Sequence, residues 1–294
     1  MFTDSMIPFW IAVGSIATAV AVIVAIVSWL RPRSHTVRPG KTPRLAVRRV
    51  LHPGDEDLPA AYDVYRSGIT NESERDSFAE IQRWLAEAEE TCQSKAANLD
   101  EYLLIAKLGA KVCGFLYGQY YRSHQMFLAG YLVMDRKSLD SRRATSLGVI
   151  KRLVRILKAD HPNCAGVIFE LALEPQKNPQ VRTGKEALFA VHARTAAGIV
   201  FKRLDVEYRQ PKLSLWDPSL TEELQHLVYG RVSGPPLTSH ISKQEASHIL
   251  DAVYNCWYGD YYLDDRSKDA EYRHYVRGMY ETAVSRLPAQ VALI

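Results

Sequence analysis

Cysteine is scarce in this 294-residue chain, and its four copies, Cys92, Cys113, Cys164 and Cys256, lie far apart. No pair has the short spacing of a zinc site or a CxxC redox motif, so they read as reduced, mostly buried thiols in a cytosolic setting. A strong charge of either sign is also lacking. The formal net charge is +4, and much of the basic excess sits between Arg31 and Arg49, where no acidic residue interrupts it. A general nucleic-acid surface is therefore not indicated. No internal repeat is visible. What remains is a globular chain whose 47% hydrophobic content suffices for one sizeable core, or for a core with an appended subdomain.

Charge is absent altogether from Ile7 to Leu30, a run long enough to cross a hydrocarbon layer about 30 Å thick. Trp10 and Trp29 sit near its ends as interfacial anchors would. A cleaved signal peptide and a buried helix are the rival readings. The first wants a basic start and a small-residue cleavage site, whereas this start carries only Asp4 and runs into Arg31, Pro32 and Arg33. An uncleaved transmembrane helix at 7–30 is the expectation, with residues 1–6 as a short extracytoplasmic amino terminus and 31–43 as a basic linker. Arg31, Arg33, Arg38 and Lys41 on its C-terminal flank would then keep the main domain in the cytoplasm, as in a single-pass membrane protein. The linker could rest on anionic headgroups or be a solvated spacer broken by Pro32, Pro39, Gly40 and Pro43.

From Arg44 onward the pattern alternates between strand and helix. Arg44 to Leu51 reads as a first strand, followed by a helix through Leu58, Ala61, Tyr62, Val64 and Tyr65. A second helix from about Glu72 carries Phe78, Ile81 and Leu85 on one face. Tyr102–Lys107, Val112–Tyr121 and Met126–Met134 are three strands in succession, separated by tight turns. An amphipathic helix, Ser146 to Lys158, follows with Leu147, Ile150, Leu153, Val154 and Leu157 as its apolar stripe. Ala165 to Leu173 is a further, nearly continuous apolar strand, then a helix from about Glu186 to Leu204 and an edge-like strand from Glu207 to Leu215. This is an α+β arrangement, expected to span 44–216. Residues 217–294 read as a mainly helical extension, with helices near Ser242–Tyr258 and Ser267–Leu287. Their aromatics, Tyr254, Trp257, Tyr258, Tyr272 and Tyr275 among them, are at the spacing of packing surface.

Two features carry chemistry. Between the strand ending at Met134 and the following helix, Arg142 and Arg143 precede Ala144, Thr145, Ser146, Leu147 and Gly148. The backbone N–H groups of a first helical turn have no partner within the helix, so this is an anion site. The second is Glu170 inside an apolar strand. An outward-facing carboxylate, or one paired with an arginine, is the plain explanation; a general base with a raised pKa is the functional one.

The order of elements and the run Arg143-Ala144-Thr145-Ser146-Leu147-Gly148 resemble the GNAT acyltransferase superfamily, whose motif is Arg/Gln-x-x-Gly-x-Gly/Ala. Arg143 and Gly148 match, and Ser146, which keeps its N–H and is small, replaces the first glycine. The resemblance implies a mixed, mostly antiparallel sheet flanked by helices and a pyrophosphate cradle for acetyl-CoA, or another acyl-CoA, at Arg143–Gly148. It also implies donors near Val133 and Met134 that polarise the acyl carbonyl, and transfer to an amine without a metal. Aligned on ARTAAGIVFKRLDV, Phe201 falls where the family often has a proton-donating tyrosine, so Tyr208 and Tyr131 become the candidates for that role beside Glu170 as base. The activity expected is membrane-anchored N-acyl transfer. A long-chain acyl donor on CoA or acyl carrier protein, and a non-catalytic binding module, are the alternatives.

Overall fold

The computed structural model of the protein describes residues 44–69, 76–93, 98–135, 146–172, 199–212, 214–216, 220–259 and 266–294. The expected span Ile7–Leu30 and the linker after it lie outside these residues, and among the described residues no helix is long and apolar enough to cross a membrane. The expected localisation as a single-pass membrane protein with a cytoplasmic domain is corrected accordingly.

The chain builds one main sheet in the order β1-β2-β3-β4-β5-β8-β6, with β7 also pairing to β8. These strands are β1 Leu45–Val50, β2 Leu99–Leu108, β3 Lys111–Tyr121, β4 Met126–Met134, β5 Gly166–Ala172, β6 Phe201–Arg203, β7 Tyr208–Gln210 and β8 Glu223–Arg231. Neighbours are antiparallel except β4 and β5, which run parallel. That exception requires a crossover, and α3, Ser146–Asp160, supplies it. The result is the α+β arrangement expected from the sequence pattern, with the mixed, mostly antiparallel sheet flanked by helices that the resemblance implies.

Both faces of the sheet are covered. Leu104, Leu116, Leu132, Val167, Phe169 and Val228 pack against Val149, Ile150, Leu153, Val154 and Leu157 of α3. On the other face Leu103, Phe115, Tyr117, Tyr131, Ile168 and Tyr229 meet α1, Leu58–Gly68, α2, Phe78–Gln93, and the C-terminal helices. Each helix is set by local chemistry. A capping box opens α2: the Ser77 N–H donates to Glu80 Oε2 at 2.6 Å, and the Glu80 N–H donates to Ser77 Oγ at 3.2 Å. Arg48 of β1 grips Asp55 and Asp57 just ahead of α1, at 2.5 and 2.7 Å, and Lys107 of β2 joins Asp57 at 2.7 Å. The approach of α1 to β4 is so close that a Cβ on Gly68 would collide with Val133.

The C-terminal part does not form a separate layer. β8 lies between β5 and β6, so the chain beyond the expected 216/217 boundary returns to the sheet. After β8 a short ribbon of β9, His240–Ser242, and β10, Gln290–Ala292, brackets two helices. One is α4, Lys243–Asp251, capped by Ser242 Oγ accepting the Glu245 N–H; the other is α5, Arg266–Ser285. Between them α4 widens into a π-helix, Ala252–Tyr258, in which the Gly259 N–H reaches back to Tyr254 O at 2.8 Å. The chain end is tied to β6 by reciprocal backbone bonds between Arg203 and Ile294. Residues 201–203, expected at the end of a helix, form β6: three residues are too few to show a strand period, and β8 provides the ladder that decides the matter. The rest of that expected helix, up to 198, lies outside the described residues.

Candidate active site

The parallel ladder between β4 and β5 runs from Met126 opposite Gly166 to Ala129 opposite Phe169 and stops there, although β4 continues to Met134 and β5 to Ala172. The strands part at this point. On its other edge β4 carries a bulge at the same place, because the register with β3 passes from Gly118–Ala129 to Tyr117–Tyr131 and skips Gly130. The bulge resets the alternation of side chains. Tyr131 and Val133 therefore join Met126 and Leu128 on the face covered by the C-terminal helices. Glycine at 130 is dictated by packing: a Cβ would stand 2.8 Å from the Trp257 ring, which the π-helix lays over the bulge.

Backbone polarity follows from the ladder. Asp135 N–H donates to Cys113 O at 2.8 Å, and in an antiparallel pair alternate residues bond the same neighbour. Val133 N–H is thus turned to β3, whereas Leu132 and Met134 turn theirs to the side that β5 has vacated. Of the two expected carbonyl-polarising positions, Met134 faces the gap and Val133 does not; Leu132 is the added one. The spent amide of Val133 is invisible without the register.

Glu170 is the first residue of β5 beyond the shared ladder. Its carboxylate accepts a hydrogen bond from the Tyr208 hydroxyl and bonds from the Tyr258 hydroxyl at 3.0 Å to Oε1 and 2.9 Å to Oε2. The carboxylate is turned to the C-terminal helices rather than outward, and among the described residues no cation is paired with it. Burial pushes its pKa up to about 7, partly offset by the two phenols. The phenols of Tyr208 and Tyr258 are themselves held well above their usual range by burial and by Glu170, which keeps them protonated donors. Tyr254 supports Tyr208, ring centroids 5.3 Å apart, and its hydroxyl donates to Arg209 O at 2.8 Å.

Tyr131 serves a different carboxyl. Its hydroxyl and that of Tyr65 each donate to Asp76 Oδ2 at 3.0 Å, and the Asp76 N–H donates back to Tyr65 Oη at 3.0 Å. Asp76 is only 6% exposed, and burial pushes it up to about 6. Nothing in the sequence separates it from an ordinary residue ahead of a helix cap. Two amides complete the surroundings. Gln225 of β8, opposite both Ala172 and Tyr208, and Gln210 of β7 are 1% and 2% exposed. Both polar atoms of Gln225 and the Gln210 oxygen lack a partner among the described residues. Buried amides without partners are costly, and they are groups a substrate can satisfy.

The expected cradle is described only in part. Arg143, Ala144 and Thr145 lie outside the described residues; Ser146, Leu147 and Gly148 are the first three residues of α3, the element that follows β4 in the chain. Phe201 does not belong to this site. It packs against Phe169, centroids 5.7 Å apart, on the α3 face, opposite to Glu170. Among the described residues no group of three His, Cys, Asp or Glu side chains could hold a metal ion.

No family model matches the chain, and no curated protein does. Solved structures similar to it include acetyltransferases. An N-acetyltransferase from Staphylococcus aureus Mu50 has a TM-score of 0.40 at 12% identity, over 64% of this chain and 97% of its own. The acetyltransferase of the GNAT family from Streptococcus pneumoniae has 0.39 at 13%, over 65% and 100%. A spermidine N-acetyltransferase from Vibrio cholerae in complex with CoA and spermine has 0.38 at 15%, over 64% and 94%.

Proposed function

We propose that the protein is an N-acyltransferase of the GNAT kind, moving an acyl group, acetyl in the first instance, from an acyl-CoA to an amine. The observation that carries this reading is Glu170: a carboxyl with a pKa of about 7, gripped by two protonated tyrosines, where parallel β4 and β5 part. An amine attacks only when neutral, and a base poised near the working pH is the most effective at taking its proton. The amides of Leu132 and Met134, turned to the vacated side, are suited to a developing oxyanion. The resemblance of Arg143–Gly148 to a pyrophosphate cradle, with Ser146–Gly148 opening α3, fits the same ligand.

The proton balance closes within these residues. Glu170 takes the amine proton, the Tyr208 or Tyr258 phenol gives one to the departing sulfur, and the phenol is refilled from Glu170 through their direct hydrogen bond. The argument for a non-catalytic module rested on Phe201, and that residue stands on the other face of the sheet. Incubating the full chain with acetyl-CoA and a pool of amines, with free CoA read by chromatography, tests the reading. Amine-dependent CoA release that rises as pH passes about 7 supports it; no release with any amine would count against it.

A further inference from the structure

A second constellation docks the C-terminal helices onto the turn between β3 and β4, and the reaction above leaves it unused. His124, in that turn, has its Nε2 2.7 Å from Asp251 Oδ2, while its Nδ1 is 3.4 Å from Cys256 Sγ. Asp251 is positioned from behind by Asn255 Nδ2, which donates to its other oxygen at 2.5 Å. The hydrogen bond from His124 holds the Asp251 carboxyl below its usual range, so it remains an acceptor. An imidazole that gives its Nε2 proton to a carboxylate keeps a lone pair on Nδ1, the nitrogen beside the thiol. Thiol, imidazole and carboxylate thus stand in the order nucleophile, base, orienting group.

Groups from several elements surround the imidazole. His248 of α4 stacks on His124 with centroids 4.8 Å apart, and its Nε2 lies 3.2 Å from His124 O. From α5, Tyr280 feels the Asp251 charge. Ser123 Oγ lies 2.9 Å from His124 Nδ1 and accepts from Asn98 Nδ2 at 3.0 Å, so its proton is directed at the same lone pair the thiol needs. The serine is a competitor for the base. Cys256 is 6% exposed, beside partly exposed His124 and Asp251 side chains, whereas Cys113 and Cys164 are at 0%. Burial pushes those two thiols up to about 11 and about 12, which makes them internal references of low reactivity.

We propose that Cys256, with His124 as its base and Asp251 orienting the imidazole, is a nucleophilic thiol site for small carbon electrophiles such as α-halo and α,β-unsaturated carbonyl compounds. With iodoacetamide, His124 Nδ1 takes the thiol proton, the Cys256 sulfur bonds to the methylene carbon, and the carbon–iodine bond breaks to release iodide. The proton passes from the imidazolium to solvent.

Iodoacetamide labelling of the folded full chain, followed by peptide mass spectrometry that reads each cysteine separately, tests this. Cys256 is expected to react about 100-fold faster than Cys113 and Cys164. His124→Gln and Asp251→Asn should each slow it about tenfold or more. Ser123→Ala, an exposed and readily tolerated change, should instead speed it several-fold by freeing Nδ1, an effect that a merely structural hydrogen-bond network has no reason to produce. Labelling of Cys256 no faster than the two buried thiols would overturn the proposal. So would an unchanged rate in folded His124→Gln, or in Ser123→Ala.

Discussion

Replacing Glu170 by glutamine separates the two consequences of burying a carboxyl between tyrosines. Its pKa is raised from 4.5 to about 7. Within that window the folded state therefore holds a proton that the unfolded chain releases, so the stability Glu170 contributes is fully present below about pH 4.5 and is lost as pH rises through about 7. At about 1.4 kcal/mol per pH unit, ionising Glu170 costs the fold about 3 kcal/mol across that window. Asp76, raised from 3.8 to about 6, contributes with the same sign and persists in the variant. Urea denaturation of wild type and Glu170→Gln at a series of pH values should show a loss of stability shallower in the variant by about 3 kcal/mol. The same substitution removes the base, so turnover should fall about 100- to 10,000-fold and the acidic limb of the rate profile should vanish. Parallel pH–stability curves for the two proteins would refute the burial argument, and unimpaired turnover would refute the catalytic one.

Three further outcomes follow from the same geometry. Tyr258→Phe removes a donor that lowers the Glu170 pKa, so the acidic limb should move to higher pH while CoA binding is retained; a pH–rate profile reads both. Gln225→Leu replaces two buried atoms that lack partners among the described residues and should stabilise the fold by about 1–2 kcal/mol in thermal unfolding while raising KM for the amine. Gly130→Val would drive a side chain into Trp257, costing about 1–3 kcal/mol and lifting the π-helix from β4, seen as a shift in tryptophan emission.

The sheet was largely readable before folding because its strands are apolar runs between sharp turns. Met126–Met134 begins and ends where the pattern says it should. Glu170 was readable for the opposite reason, as a charge where the pattern has no place for one. Its tyrosine partner Tyr258 was not: the seven-residue π-helix alters the helical phase that sorts aromatics into faces, so Trp257 and Tyr258 look like ordinary packing. Asp76 hides beside the Ser77–Glu80 capping box. β8 hides because Glu223, Leu224, Gln225 and His226 interrupt its alternation, and Phe201 was drawn into a helix by the apolar spacing ahead of it. What the sequence could not convey in each case is register, which decides where β4 and β5 part and which amides face the gap.

Whether this cleft takes an acyl-CoA is measured most directly by calorimetric titration of the full chain with acetyl-CoA. The expected result is one-to-one binding by the wild type and none by Gly148→Glu, which sets a carboxylate in the first turn of α3, where the anion would rest. The absence of measurable heat with wild-type protein, or equal binding by the variant, would contradict it.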